Sequence, residues 1–411
     1  MDQQGPKSTQ RALEGVKAVG FTYAGTANIV LRNLGMNGAM VVRVESSKRP
    51  CNLRTAQPYK DALPGLNRSG YFALYNNDRF SLALDLKHTG ASPIVKRLVE
   101  WTDILVENFS PGTVQRLGLD YEQVKKINPE IIMLSISQQG QTGPHSFMPG
   151  YGGTLQGLGG ISGLTGWPDR WPVLVDQSYP DFIAPRFATV ALLAALDYRR
   201  RSGKGQYIDC SNYENCIHFM APVVLDYTAN KRIWGLQGNG RVGAAPHGAF
   251  RCTGDDKWCV ISVSSDDEWC TFCGLIGRPE LTDDSRFRTV QERLQHREEL
   301  EKIITTWTGV RTASEVMIQL QGAGITSGVV QNCEDLFKDP QVAHRHYFKA
   351  LDHREMGEHP YLSTSYLLSD TPPEVRSAAP LLGEHTEFVL KKLLGVSEEE
   401  YVQALLAGVL T

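Results

Sequence analysis

Ile104-Leu-Val-Glu-Asn108, a helical stretch from Val114 to Ile127, and Ile131-Ile-Met-Leu-Ser-Ile-Ser137 make one strand–helix–strand unit. The alternation continues on its N-terminal side. Val16-Lys-Ala-Val-Gly-Phe-Thr22 reads as a strand, Ala27 to Leu34 as a short helix, and Met40-Val-Val-Arg-Val-Glu45 as a second strand. Ser81-Leu-Ala-Leu-Asp-Leu86 alternates like a third strand, and Ile94 to Glu100 has apolar residues at helical spacing. Strands alternating with helices predict an α/β fold on a mainly parallel, doubly wound, Rossmann-like sheet. Ligands of such sheets sit beyond the carboxyl ends of the strands. Residues 23–25, 46–49, 109–112 and 138–143 are therefore candidate binding loops. Lys48 and Arg49 lie in the second, and the third leads toward Arg116. Basic side chains there suit phosphates, with solvated surface cations as the alternative.

Further along, Asp181-Phe-Ile-Ala-Pro-Arg-Phe-Ala-Thr-Val-Ala-Leu-Leu-Ala-Ala-Leu196 places a carboxylate just ahead of an apolar, Ala-rich helix. The far end carries Arg199, Arg200 and Arg201, then the stop signal Ser202-Gly203. Acid first and base last match the helix dipole. An acid at the start of a buried helix is expected to stay ionised and aimed, which suits a carboxylate nucleophile. An ordinary first-turn acid is the competing reading.

From about Ala221 the character changes. Residues 235–243, which include Gly238, Asn239 and Gly240, read as a flexible loop. His247 to Cys252 and Trp258 to Val263 bracket Thr253-Gly-Asp-Asp256, a hairpin signal. A long charged helix from Val290 to Trp307 follows, and another opens with the capping box Thr312-Ala-Ser-Glu315. The expected organisation is a large Rossmann-like domain at 1–221 and a smaller α+β domain at 222–328. A C-terminal segment, 329–411, then returns to the large domain, with a last capping box at Ser397-Glu-Glu-Glu400.

The bulk properties narrow the function. A formal net charge of −3 over 411 residues gives no electrostatic case for a nucleic-acid or anionic-membrane partner. The longest largely apolar run, Ala188 to Leu196, is too short to span a bilayer. The first twenty residues lack a signal-peptide core. Eight scattered cysteines, including the lone pair Cys270 and Cys273, read as reduced packing thiols of a cytoplasmic protein. His344, His346 and His353 match no zinc spacing and read as surface residues, so no metal site is expected. The Gly-rich run at 150–163 is not G-x-G-x-x-G, and neither a P-loop nor G-x-S-x-G is present. Those absences argue against a Rossmann dehydrogenase, a P-loop NTPase and a nucleophile-elbow hydrolase.

Several blocks, in order and spacing, resemble one family. They are Leu13-Glu-Gly-Val-Lys17, Asn76-Asn-Asp-Arg79 with Ser81-Leu-Ala-Leu-Asp-Leu-Lys87, and Val106-Glu-Asn-Phe-Ser-Pro-Gly112 through Arg116-Leu-Gly-Leu119. Gly140-Gln-Thr-Gly-Pro144, Asp339-Pro340 and Ala379-Pro-Leu-Leu-Gly-Glu-His-Thr386 complete the set. Over nearly the whole chain the sequence resembles the family III CoA-transferases, the group of the formyl-CoA and carnitine CoA-transferases. The resemblance implies an interlaced dimer and puts Asp181 in the place of the catalytic aspartate. That residue would carry first a mixed anhydride and then an aspartyl-CoA thioester. It also implies CoA and acyl-CoA as substrates, with no tightly bound cofactor. Leu74, Asn76 and Arg116 are similar to the family's CoA contacts, with Lys48, Arg49, Gln138 and Gln139 close to others. Gly238-Asn-Gly240 stands for its mobile Gly-rich loop.

Departures leave alternatives open. Gly20 replaces an Asp at the end of the first strand, Gly25 a Gln just after it, and Ser46 a basic residue. Gln138-Gln139 replaces a Gly-aromatic pair. Some family members are built of two related subunits, among them succinyl-CoA:benzylsuccinate CoA-transferases. The context Gln177-Ser-Tyr-Pro-Asp181-Phe-Ile-Ala-Pro-Arg186 is closest to that aromatic-acid branch. A homodimer, a hetero-oligomer, and a non-catalytic or half-site subunit are all compatible. The α-methylacyl-CoA racemases share the fold, but Tyr151 stands at their catalytic His, and a phenol of pKa about 10 is a poor base at neutral pH. Trp167, Trp171, Phe182 and Phe187 read either as an aromatic pocket or as core.

Overall fold

The computed structural model describes residues 11–175 and 179–411. Gln177 and Ser178, quoted above as context for Asp181, lie outside the described residues, as do the first ten positions of the expected large domain. Six strands form the main sheet: β1 (Lys17–Phe21), β2 (Met40–Glu45), β3 (Phe80–Ala83), β4 (Ile104–Glu107), β5 (Ile132–Ser137) and β6 (Tyr207–Ser211). Their order is β3-β2-β1-β4-β5-β6 and every neighbouring pair is parallel. The direction of winding reverses between β1 and β4, where Phe21 pairs with Glu107. The crevice beyond those two carboxyl ends is the switch point at which doubly wound sheets bind ligands.

Successive residues of each strand point to opposite faces, so both faces need cover. On one, α1 (Thr26–Met36) lays Ala27, Val30, Leu31 and Leu34 on Ala18, Val41, Ile104 and Val106. The long helix α7 (Tyr179–Ser202) adds Ala188, Leu192, Ala195 and Leu196 to the same cluster. On the other face, Val19, Val42, Leu105 and Met133 meet α3 (Ser92–Trp101) and the C-terminal Val389 and Leu390. A connection that returns to a parallel strand must cross the sheet. Since α7 is followed by β6, its N-terminus lies at the carboxyl edge and its basic C-terminus at the amino edge. A salt bridge from Arg199 to Asp103, just before β4, fixes that lower end at 2.8 Å.

Two helices expected to be continuous are broken. Residues 114–127 form α4 (Thr113–Arg116) and α5 (Tyr121–Ile127). Gly118, at φ 69, turns the chain between them, and the Asp120 side chain caps α5. Residues 290–307 divide at His296 into Val290–Gln295 and Arg297–Thr308. Helical periodicity survives a short break, which is why pattern alone reads across it. The capping boxes at Thr312 and Ser397 form as expected.

Two compact units are present. One comprises the chain up to Ile161, Leu174–Arg232 and Gln341–Thr411; the other comprises Ser162–Val173 and Ile233–Pro340. The sequence pattern places the edges of the smaller domain at 222 and 328, whereas these units divide at 233 and 340, and Ser162–Val173 joins the smaller one. The smaller unit has a three-stranded antiparallel sheet: β7 (His247–Arg251), β8 (Trp258–Ser262) and β9 (Thr326–Val329). Phe250, Ile261, Trp269, Phe272 and Trp307 lie in its core. No helix among the described residues is long and apolar enough to cross a membrane.

Candidate active site

The site is built where the switch point meets the start of α7. Asp181 lies inside the first turn of α7, not ahead of it as the pattern suggested, because the helix begins at Tyr179-Pro180. The fixed φ of proline is compatible with a first helical turn. The partner that aims Asp181 comes from α1. The Thr26 hydroxyl donates to Asp181 Oδ1 at 2.9 Å, and among the described residues it is the only hydrogen-bond partner of that carboxylate. Burial pushes Asp181 up to about 6, and the Thr26 bond only partly offsets it. At about 6 the carboxyl is still mostly ionised at pH 7, in keeping with an acid expected to stay ionised and aimed, although it holds its proton more tightly than a free aspartate. With no cation in contact, desolvation dominates, and Asp181 is a poorly solvated, reactive carboxylate at neutral pH.

Around it the backbone is held tightly. Asn108, the residue after β4, clamps Tyr23, the second residue after β1. Its Oδ1 accepts from Tyr23 N at 2.8 Å and its Nδ2 donates to Tyr23 O at 2.6 Å. Ala24 is left at φ 58, in the left-handed region, directly before the start of α1. Glu107 lies one residue before Asn108 and accepts from Phe109 N at 2.8 Å; burial raises its carboxyl to about 7. Thr26 and Asn108 escape sequence reasoning, since the first is 155 positions and the second 85 positions from its partner.

The expected CoA-binding residues divide into three groups. Arg49 is exposed and its guanidinium lies 5.8 Å from the centre of the Tyr23 ring, at the mouth of the crevice. Arg116 is exposed at the end of α4, the short helix after β4, with Nη2 2.9 Å from the Thr113 hydroxyl. Gly112, at φ 80, lies beside the Arg116 guanidinium, and a Cβ there would stand 3.2 Å from Nη1. Gln138 and Gln139 are half-buried after β5. These four share the carboxyl edge with Asp181. Leu74 also adjoins it, because it precedes Tyr75 at the end of α2 (Gly70–Tyr75), and the Tyr75 ring packs 5.8 Å from that of Phe182.

Lys48 and Asn76 are committed elsewhere. Lys48 pairs with Asp85 at 3.0 Å. Asn76 is fully buried; its Oδ1 accepts from Arg43 and Arg79, both at 3.1 Å, and its Nδ2 donates to Phe72 O. Gly238-Asn-Gly240 belongs to the smaller unit. A Cβ on Gly238 would meet the Trp167 ring at 2.3 Å, and one on Gly240 would meet Arg297 Nη1 at 2.4 Å. In this conformation the loop therefore packs against Trp167 and Arg297. Phe182 is half-buried beside Tyr75 and Phe187 packs on His218, while Trp171 is 89% exposed. His344 and His346 are exposed as expected, but His353 is buried, its Nδ1 accepting from Glu355 N and Met356 N. Among the described residues no cluster of His, Cys, Asp or Glu could hold a metal ion.

The substituted glycines have physical explanations. A Cβ on Gly20 would stand 2.2 Å from Leu31 Cδ1, so α1 packs too closely on β1 for any side chain there. Gly25 is the opposite case, since a Cβ would meet nothing within 4 Å. It leaves open space beside Thr26. A separate cavity of about 470 Å³ lies at the amino edge, by Met40, Phe80, Arg376 and Glu384. Arg376 pairs there with Asp78 and Arg354 with Glu384, and none of the expected site residues lines it.

The family model of "CoA-transferase family III" matches residues 13–386. The succinyl-CoA–D-citramalate CoA-transferase of Chloroflexus aurantiacus is 32% identical over 88% of this chain and 89% of its own length. The beta subunit of the succinyl-CoA–L-malate CoA-transferase of the same organism is 32% identical over 96% of each chain. A crystal structure of a CAIB/BAIF family protein from Brucella suis superposes with a TM-score of 0.85 at 30% identity, covering 93% of this chain and all of that one. The chain belongs to CoA-transferase family III.

Proposed function

We infer that this enzyme moves CoA from succinyl-CoA to a second dicarboxylic acid, with Asp181 as the covalent carrier. The observation that carries the reading is the Asp181 carboxyl, half-buried at the switch point with Thr26 as its one hydrogen-bond partner among the described residues. In the first step Asp181 attacks the thioester carbonyl, the C–S bond breaks, and CoA leaves as a thiolate. The thiolate then attacks the aspartyl carbonyl of the mixed anhydride, the bond from the aspartyl carbon to the bridging oxygen breaks, and the donor acid departs as a carboxylate with that oxygen. The acceptor carboxylate runs the two steps in reverse, and no proton is gained or lost overall. Splitting one exchange into acyl transfers is covalent catalysis. Arg49 and Arg116 are placed to meet CoA phosphates at the rim. The named reactions of the two relatives support succinyl-CoA as donor and an aliphatic dicarboxylic acid as acceptor. Benzylsuccinate, expected from the context of Asp181, is also a dicarboxylic acid, and Tyr75 and Phe182 offer a ring-lined wall for it. Unpaired thiols at Cys51, Cys216, Cys252 and Cys259 support a cytoplasmic setting.

The direct test is incubation with succinyl-CoA, hydroxylamine trapping and peptide mass mapping. A mass change confined to the Asp181 peptide is expected; transfer activity with that peptide unmodified overturns the route. The pH profile gives a second check. The nucleophile must be ionised, and Asp181 titrates at about 6. The kcat/KM for succinyl-CoA, the substrate that meets the free Asp181 carboxylate, is therefore expected to fall about tenfold per pH unit below 6 and to level off above 7. A limb near pH 4 would show that the titrating group is a different, solvated acid.

A half-site subunit is the second reading, favoured by the open space at Gly25 and by the subunit name of one relative. Activity of the purified chain alone decides it. Gly25→Gln is expected to leave the melting temperature nearly unchanged, within about 0.5 kcal/mol, because the new side chain enters open space. A large loss of stability would mean that the space beside Thr26 is closed.

A further inference from the structure

We propose that Arg186 binds the distal carboxylate of the dicarboxylic acid whose other carboxyl reacts at Asp181. This deepens the substrate reading above and rests on it. Arg186 is exposed on α7, five residues after Asp181. Among the described residues it makes no ion pair or hydrogen bond. Arg186 lies close enough to the buried Arg32 to lower that guanidinium further, after burial itself. Arg32 donates to Asn77 Oδ1 and Leu362 O and has the Asp78 carboxylate near enough to favour its charge. Arg186 is thus the guanidinium of the two left without a carboxylate partner among the described residues, and it favours an anion from solution.

The placement also suits the length of the acid. Five residues of helix separate the two Cα atoms by about 7.5 Å along the axis. Helical side chains lean back toward the N-terminus, so a long arginine recovers part of that distance. Arg186 is four residues after Phe182 and therefore shares its face, the one that meets Tyr75. An acid anchored at both ends would lay its carbon chain along the Phe182–Tyr75 wall.

The test compares glutarate with pentanoate as acceptors, with succinyl-CoA as donor, for the full-length enzyme and two variants. In a ping-pong reaction the acceptor's kcat/KM reports its own half-reaction. Arg186→Gln is expected to lower kcat/KM for glutarate by about 10- to 100-fold, the scale of a charge-assisted hydrogen bond, and to leave pentanoate unchanged. Arg186→Lys should recover part of the loss. A variant that keeps the wild-type glutarate-to-pentanoate ratio, or that loses both acids equally, overturns the subsite while leaving the dicarboxylate reading standing. A wild-type enzyme that prefers pentanoate overturns the dicarboxylate reading, and the subsite with it.

Discussion

Asp181→Ala is expected to lower CoA transfer by about 10⁴-fold or more, the scale seen when a covalent nucleophile is removed, without unfolding the protein. The stability half of this expectation follows from the linkage. The folded-state pKa of Asp181 is raised to about 6 from 3.8. Ionising it is thus harder in the folded chain than in the unfolded one. Its contribution is unfavourable above pH 6 and disappears below pH 4, where both states are protonated. A shift of this size corresponds to about 1–3 kcal/mol once partial solvent access is allowed for. Removing the carboxylate relieves that term, and losing the Thr26 bond returns about 1 kcal/mol of it. The melting temperature at pH 7.5 should therefore hold or rise, and the difference should vanish near pH 4. Steady-state transfer and thermal melts of the same preparation check both halves. Activity within tenfold of wild type, in a folded variant, would end the case for Asp181 as nucleophile.

Thr26→Val probes the same carboxylate from the other side. It removes the one donor that lowers the Asp181 pKa. The acid limb of the pH profile should then move upward, with less effect at pH 8 than at pH 6.

The fold was legible because its signals are local. Ile104-Leu-Val and Ile132-Met-Leu are fully buried strands of a parallel sheet, and such strands read as unbroken apolar runs. The β2 boundaries, Met40–Glu45, coincide with the pattern. Breaks at 117–120 and at His296 were hidden because an interruption of four residues or one, about a turn or less, hardly disturbs a 3.6-residue period. The site was legible only in part. Asp181 is marked by position and by resemblance, but its aim depends on Thr26, and Tyr23 is set by Asn108. Neither pairing leaves a trace in local pattern. Asn76 shows the reverse error. Its motif suggests a ligand contact, yet every polar atom of its side chain is spent on Arg43, Arg79 and Phe72.

Arg54→Ala is expected to be the most destabilising single change in the wall below the site. Arg54 is fully buried and its guanidinium forks onto Glu45, Nε to Oε2 at 2.8 Å and Nη2 to Oε1 at 2.7 Å. It also donates to Leu66 O, Asn67 Oδ1 and Pro380 O, and stacks 3.7 Å from the centre of the Phe72 ring. Burial alone would raise the Glu45 pKa; Arg43 and Arg54 instead hold it at about 2. Truncating Arg54 takes this donor from the buried Pro380 carbonyl and leaves Glu45 with one cation, Arg43, at 3.4 Å. Breaking a buried pair in this way costs about 3–5 kcal/mol. Lysine cannot replace the fork, so Arg54→Lys should fail as well. The sign with pH is opposite to that of Asp181. With a folded value near 2 against 4.5 unfolded, Glu45 contributes stability that is complete above pH 4.5 and is lost as pH falls toward 2. The difference between wild type and variant in urea unfolding should therefore shrink in acid. The consequence for function follows from position. Glu45 ends β2, and the chain leaves it directly into residues 46–49, which carry Arg49 to the crevice. In the fraction that stays folded, KM for acyl-CoA should rise while the acid limb set by Asp181 stays near pH 6. A variant that melts within about 1 kcal/mol of wild type would show that the fork adds little to stability beyond its own desolvation.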